Sequence, residues 1–485
     1  MPPVPDGEPT GGVTHHGEVT PRGLDVVPRS PFFEGRFGRL FRSLPPFEPA
    51  DELLQKLGAP DGPMREPTGR AQDNAAIPSG YTYLGQLVDH DLTFDPTSSF
   101  SRRNDPDALQ NFRTPRFDLD CLYLAGRRAS PFLYDKRDSA RFLLARNRAR
   151  DLDLPRNAQQ VALIGDPRND ENILVSQLHV GFLSFHNEVV DHLRARRANL
   201  ERHALPGETL FATAQRLVRW HYQWVVVNDF LPRIVGRQAV NRILKKEAGG
   251  KLKVELDFYK PQRSPFIPVE FTVAAYRFGH SMIRPVYDLN DVITRVDIFG
   301  GPRAHPLTHL GGARRLPDGW AAKWPLFFPL GRRRPQPSRK INARLAPPLL
   351  ALPREVAGSE NRHLRSLATR NFLRGKALGL PSGQAVATAM GETPLTNGQL
   401  GLRGAAWGGG APLWFYVLKE AERTQSGARL GPVGGRIVAE VLLGLLGHDK
   451  TSYVNAETPW RPVRPMAPRA GEFEMADLLR FAKVA

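Results

Sequence analysis

Apolar residues recur at three- and four-residue spacing in four long stretches: ILVSQLHVGFLSFHNEVVDHL (173–193), ETLFATAQRLVRWHYQWVVVNDFL (208–231), FTVAAYRFGHSM (271–282) and GGRIVAEVLLGLLG (434–447). That spacing lines one face of an α-helix and predicts a helix in each. Strand-like patterning is scarce, KLKVELDF (251–258) being the best instance, and no internal repeat is found. GQLVDHDLTF (85–94) fits a short helix, and LATRNFLRGKALGLPSGQ fits a helix end running into a turn. Residues 1–65 are rich in Pro and Gly and read as an extended, wrapping arm with short ordered pieces such as ADELLQKLG. The interval from Asp288 to about Leu345 is a long loop, and loops of that length inside a compact domain serve a purpose or wrap a core. The fold class predicted is mainly α: one large helical domain over 66–485, with few short strands and long Pro/Gly-rich loops.

Charge and cysteine content narrow the setting. Lys and Arg outnumber Asp and Glu by 67 to 49, a net charge of +18. The basic residues are spread along the whole chain, with the densest run at GRRRPQPSRK (331–340), and no helix-turn-helix or Cys/His finger accompanies them. They read as a solvated basic exterior, and no specific nucleic-acid partner is expected. The single cysteine, Cys121, excludes an internal disulfide framework, and the first thirty residues lack the succession of a secretory signal. IVAEVLLGLLG (437–447) carries Glu440 and is well short of the ~20 apolar residues of a membrane span. The expectation is a cytoplasmic protein, with export by a non-standard route as the alternative; oligomeric state is not encoded in any pattern here.

Polar residues interrupt these apolar segments at four places. On a helix, Gln86 and His90 share a face, Asp89 lies beside them, and Asp91 is turned about 100° away, so one turn can serve two sites. Arg168 and Glu171 stand three apart just before the long apolar helix. His280 sits in a small-residue segment beside Gly279, which leaves room for something flat and large. Asn371 and Arg374 are three apart before GLPSG. Taken singly, each has a plain structural reading: a buried histidine bonded to a carbonyl, an arginine capping a loop, a helix end.

Together and in this order, GQxxDHD, RxxE, RxGH and NxxR before a GLP turn, they resemble the animal-type haem peroxidases of the peroxidase–cyclooxygenase superfamily. The resemblance spans most of the chain beyond residue 65, the arm and the 288–345 loop carrying little of it. It implies a haem b cofactor, with His280 as the proximal iron ligand and Asn371 accepting the other ring N–H. Arg277 and Arg374 would face the haem propionates. On the opposite face, His90 would move the peroxide proton, Arg168 would supply fixed positive charge, and Gln86 would hold a water or halide. Asp89 and Glu171 match carboxylates that become ester-linked to haem in mammalian members. Asn172 stands where a myeloid member has the methionine of a further haem link, so that link is not expected.

Asp91 matches a calcium ligand, completed by RTPRFDLDC with Thr114, the Arg116 carbonyl, Asp118 and Asp120. At alternate positions of an extended segment these oxygens would point to one side, as a hard cation requires. Asp120 and the neighbouring Cys121 depart slightly from the mammalian pattern. The activity implied is hydrogen peroxide reduction coupled to oxidation of a small organic or halide donor, in a metabolic or oxidative-stress setting. The alternative is an oxygenase resembling cyclooxygenase or fatty-acid dioxygenase. Oxygenases carry a tyrosine three residues before the proximal histidine, where this chain has Arg277, with Tyr276 adjacent. A non-enzymatic haem-binding or adhesive protein is the third class, and it has no need of a distal His90/Arg168 pair.

Overall fold

The structure is a computed structural model that describes residues 35–67, 72–94, 111–262, 264–300 and 304–485. Its elements are α1 (Asp51–Leu57), α2 (Gly80–Leu92), α3 (Ile173–Ala195), α4 (Leu210–Val225), α5 (Gly279–Met282), α6 (Leu367–Ala377), α7 (Leu413–Gln425), α8 (Pro432–His448) and α9 (Met475–Phe481), joined by shorter helical turns. Strands occur only as short pairs among the described residues, the longest being β1 (Asp73–Pro78) antiparallel to β2 (Pro337–Arg339). This is the mainly helical architecture predicted. No helix of the described residues is long and apolar enough to cross a membrane.

α3 is the centre of the molecule. It is buried along most of its length, and polar residues on its buried sides find partners: His186 with the Tyr123 hydroxyl and the Ala140 carbonyl, Asn187 with the backbone of Phe142. Asn172 starts it, its side-chain oxygen accepting from Val175 N at 2.9 Å, a cap that satisfies one of the open donors of the first turn. α2 and α4 pack on it, and α9 closes its far side, with Leu479 against Gly181 where a side chain would crowd. α8 begins at Pro432 and is capped from another helix: Glu420 of α7 accepts from the backbone N–H groups of Val433 and Gly434 at 3.0 and 3.2 Å.

Three elements differ from the sequence pattern. The 271–282 stretch is not one α-helix. It is a π-turn (270–274), a 3₁₀ turn (275–278) and then α5, broken at Ala274 (φ −127°, ψ −75°). The break brings Tyr276 onto Phe271, ring centroids 4.7 Å apart, and buried Glu270 accepts from the Leu40 and Phe41 N–H groups. The 208–231 stretch likewise passes from α4 into a π-turn at 226–230. KLKVELDF contributes only Leu252–Val254 as strand, paired with Leu244–Lys246; beyond it the N–H groups of 257–259 turn to the Glu440 carboxylate instead of a ladder.

Residues 1–34 of the arm lie outside the described residues. The rest of it wraps α6. Arg39 donates to the Leu378 and Gly379 carbonyls at 2.7 and 2.9 Å, Ser366 donates to the Gly58 carbonyl at 2.5 Å, and Lys376 pairs with Asp51 at 2.5 Å. The 288–345 loop is more ordered than its composition predicts, since β2 and the 296–297 bridge strand tie it down.

Candidate functional site

A cavity of about 500 Å³ opens between α2 and α5. One wall carries Gln86 and Asp89 of α2 with Glu171 and Asn172 from the turn before α3; the other carries Tyr276, Arg277, Gly279 and His280. Arg277, in the 3₁₀ turn, and His280, in the first turn of α5, both reach this wall. A Cβ at Gly279 would meet nothing within 4 Å, the open space the sequence pattern anticipated. A third wall was not anticipated. It comes from the long loop, with Ile298, Phe299, Gly300, His309 and Gly311 to Ala313. Gly312 approaches so closely that a Cβ there would collide with the Asp170 carbonyl, which fixes this loop against Glu171. Composition alone concealed it, because its contacts reach back more than a hundred residues.

His90 is wholly buried at the C-terminal end of α2, its Nδ1 2.8 Å from Asn169 Oδ1. Burial, and then the Arg168 charge, push its pKa down to about 3, so the ring is a neutral imidazole with one lone pair. Arg168 lies below it, donating through Nη2 to the His90 and Thr93 carbonyls at 3.1 and 2.6 Å and stacking over Phe94 at 4.6 Å. His90 and Arg168 therefore meet through the end of α2, one row behind the Gln86 and Asp89 side of the cavity wall. Asp166, overlooked in the sequence, anchors both arginines of this region: it pairs with Arg168 at 2.7 Å and with Arg113 at 2.6 Å. Burial disfavours its charge, yet the two guanidinium groups outweigh burial and hold its carboxyl well below the usual range.

Gln86 does not stand alone in the cavity. Its Nε2 donates to Glu171 Oε1 and its Oε1 accepts from Asn172 at 3.3 Å. Burial raises the Glu171 carboxyl to about 8 against the opposing Arg168 charge, so it is neutral at neutral pH. Asp89 is also raised, again mainly by burial, and accepts from Thr93 Oγ1 at 3.0 Å. Both carboxyl groups thus reach the cavity wall with burial working against their charged forms.

Opposite them, burial and then Arg277 depress His280 to about 3, leaving a neutral ring suited to ligate a metal. Asn371 of α6 meets it as expected, but in the reverse sense. Arg277 Nη1 donates to Asn371 Oδ1, and a guanidinium can only donate, so Asn371 presents its Nδ2 to His280 Nδ1 at 2.9 Å. The Arg277 Nε also donates to the Thr272 carbonyl at 3.0 Å. Trp414 of α7 backs the ring, centroids 6.3 Å apart, and donates to the Arg277 carbonyl at 3.1 Å. Arg374 lies half-buried one turn beyond Asn371 and is not on the cavity wall.

Asp91 points away, as a 100° rotation demands. Its carboxylate and those of Asp118 and Asp120 offer ligand atoms all within 4.8 Å of one another. The segment supplying the last two is not extended. It bends at Leu119 (φ +55°), and Asp120 opens a short helix, so the oxygens converge through a turn and not through strand alternation. Thr114 joins by donating to Asp118 Oδ2 at 2.8 Å, whereas Arg116 enters only through its place in the segment. Asp91 Oδ1 is buried with no hydrogen-bond partner. Burial and mutual repulsion raise Asp91 well above the usual range, and burial raises Asp120 to about 7.

Solved structures share this fold. Peroxidase A from Dictyostelium discoideum superposes with a TM-score of 0.53 at 15% identity, covering 88% of this chain and 89% of that one. Fatty acid alpha-dioxygenase from Oryza sativa gives 0.57 at 16% identity, covering 91% and 79%. Among curated proteins, peroxidasin from Drosophila melanogaster is 26% identical over 240 residues, 47% of this chain and 14% of peroxidasin. The chain thus matches a small fraction of that relative's length. The model of the animal haem peroxidase domain matches residues 132–391. The matched span includes Arg168, Glu171, Arg277, His280, Asn371 and Arg374, while Gln86 to Asp91 precede it. A match over more than half of the chain, on a helical fold shared with solved superfamily members, is decisive: the chain belongs to the animal haem peroxidase family.

Proposed function

We propose that this chain is a haem peroxidase that reduces hydrogen peroxide and oxidises a small organic or halide donor. One observation carries the reading: a neutral histidine, His280, and a carboxyl-bearing wall of Gln86, Asp89 and Glu171 oppose each other across one cavity of about 500 Å³, a size suited to a bound cofactor. His280 would hold the haem iron through Nε2, which calls for the Asn371 amide turned so that its Oδ1 accepts from His280 Nδ1–H; Arg277, released from Asn371 by that turn, suits a propionate. Bound haem supplies the redox centre at which peroxide and donor exchange electrons. His90 takes a proton from the entering peroxide at Nε2 and returns it to the departing oxygen, which leaves as water. Arg168, held by Asp166 and the end of α2, keeps positive charge beside His90 where negative charge builds. Arg374, off the cavity wall, would support the propionate side from behind Asn371.

Glu171 and Asp89, on the cavity wall, would supply the oxygens of the ester links; replacing a haem methyl C–H by C–O is a two-electron oxidation, for which hydrogen peroxide, reduced to water, would be the oxidant. Asp91, Asp118, Asp120, Thr114 and the Arg116 carbonyl would bind calcium, for which three converging carboxylates and an unpartnered buried oxygen are the support. A cytoplasmic, stress-related role is the setting proposed.

The oxygenase reading keeps one observation in its favour: Tyr276 lies on the cavity wall, its hydroxyl donating to the Gly85 carbonyl at 3.2 Å. The test is to load the protein with haem, add peroxide, and compare oxidation of phenols, iodide and bromide with oxygen uptake on an unsaturated fatty acid. His90→Ala should keep the haem spectrum and lose peroxide-driven oxidation by a factor on the order of 10²–10⁴. His280→Ala should lose or alter the spectrum. Full peroxide turnover in His90→Ala would defeat the assignment.

A further inference from the structure

Asn169 lies in the 3₁₀ turn Pro167–Asp170, fully buried between two histidines of different elements. Its Oδ1 is 2.8 Å from Nδ1 of His90 on α2, and its Nδ2 is 3.1 Å from Nδ1 of His179 on α3. His179 is itself 1% exposed and does not belong to the cavity wall. The turn that carries Asn169 is rigidly set, because Asp166 caps it by accepting from Arg168 N at 2.9 Å.

The two ends of a carboxamide are not interchangeable: the oxygen accepts and the nitrogen donates. A neutral imidazole likewise has one N–H and one lone pair. An amide placed between two Nδ1 atoms therefore forces opposite tautomers on the two rings. His90, facing the oxygen, must carry its hydrogen on Nδ1 and keep its lone pair on Nε2. His179, facing the NH₂, must do the reverse. Reversing the amide would exchange the two, and His90 would then have no lone pair at Nε2.

We propose that Asn169, which bridges His90 to His179, is a positioning residue that fixes the tautomer of His90, so that the Nε2 lone pair is the one presented for proton transfer. This rests on the reading of His90 as the proton carrier of the site. The chemistry has a general precedent: an acid–base histidine held in the wrong tautomer by its orienting partner loses about 10⁴ in rate in the serine-protease triad. Here the partner is a neutral amide, so the tautomer is chosen without adding charge beside the ring.

Long-range ¹H–¹⁵N correlation of histidine rings reports which nitrogen bears hydrogen, independently of turnover. It is applied to the full chain loaded with zinc protoporphyrin, a diamagnetic stand-in for haem. The His90 signal is identified by its absence in His90→Gln and the His179 signal by its absence in His179→Gln. Wild-type His90 should show a protonated Nδ1 and His179 a protonated Nε2; a protonated Nε2 on wild-type His90 overturns the proposal, whether or not any variant folds. Asn169→Leu, close in volume and unable to hydrogen-bond, should release His90 to a tautomer mixture. With haem it should slow the reaction with peroxide on the order of 10²-fold while haem still binds. Asn169→Asp, which can still accept from His90 Nδ1, should restore the Nδ1–H tautomer and most of that rate. An Asn169→Leu protein with His90 unchanged in tautomer and in peroxide rate also overturns it. Failure of the underlying reading looks different: His90→Ala would retain full peroxide turnover, with the wild-type tautomers as stated.

Discussion

Asp166 shows how much of a site can rest on a residue that does no chemistry. One carboxylate, with no exposed surface, holds Arg168 and Arg113 at 2.7 and 2.6 Å. Removing it leaves two buried guanidinium groups without their counter-charge, so Asp166→Asn should destabilise the fold by roughly 3–5 kcal/mol in urea unfolding. The pH dependence follows from the depressed folded pKa. The stabilisation is complete above the unfolded carboxylate value of about 4 and is lost as pH falls below it toward the folded value. Wild-type stability should therefore drop steeply below about pH 4, and the asparagine variant should lack that part of the drop. Sequence made His90, Arg168, Glu171, His280 and Asn371 legible, because their chemistry stands out against apolar neighbours at fixed spacing. Asp166 and Asn169 flank Arg168 in GDPRNDEN (165–172), yet their roles depend on which atoms face His90, Arg113 and His179, and spacing does not determine that.

At the scale of elements, α2 is a partition: Gln86 and Asp89 face the cavity and Asp91 faces the acidic cluster, as helical geometry requires. The cluster's own segment departs from the extended form that alternation in RTPRFDLDC predicts, because Leu119 adopts the left-handed region and turns the chain. The segment around Tyr276 departs from a continuous helix for a related reason: its apolar spacing suits both 3.6 and 3.0 residues per turn, and the broken form packs Tyr276 on Phe271. A prediction belongs to this scale. Without a cation, Asp120 has a folded pKa of about 7, raised above an unfolded value of about 4. The cation-free state therefore has its best stability below pH 4 from this group and loses it as pH rises through 7. Chelation followed by dialysis should lower Tm markedly at pH 8 and little at pH 5, with calcium restoring it; equal Tm at pH 8 with and without calcium would remove the metal assignment.

For the whole molecule, the helical class and the main helices were readable from periodicity, whereas the assembly of the cavity was not. Its third wall comes from the 288–345 loop, and the backing of its proximal side comes from the arm; both are long-range contacts that leave no local trace. The wrap predicts a specific dependence. α1 buries Leu54 and Leu57 beside α6, the helix that carries Asn371, and each such side chain is worth about 1.5–3 kcal/mol when buried. A chain beginning at Ala59 should lose several kcal/mol and release haem faster to apomyoglobin than the full chain does; an unchanged release rate would separate the arm from the site.

The same wrap sets an order on biosynthesis. Arg39 waits for the Leu378 and Gly379 carbonyls, 339 and 340 positions downstream, and Gly58 for Ser366, 308 positions on. At ~5–20 residues per second, ribosomal synthesis separates these partners by roughly 15–70 s. Throughout that interval the apolar face of the arm has no keeper and the nascent chain has no floor beneath His280. Cofactor capture thereby has to follow synthesis of the segment from Ser366 to Gly379, and any chaperone that serves this chain must hold the arm until that segment arrives.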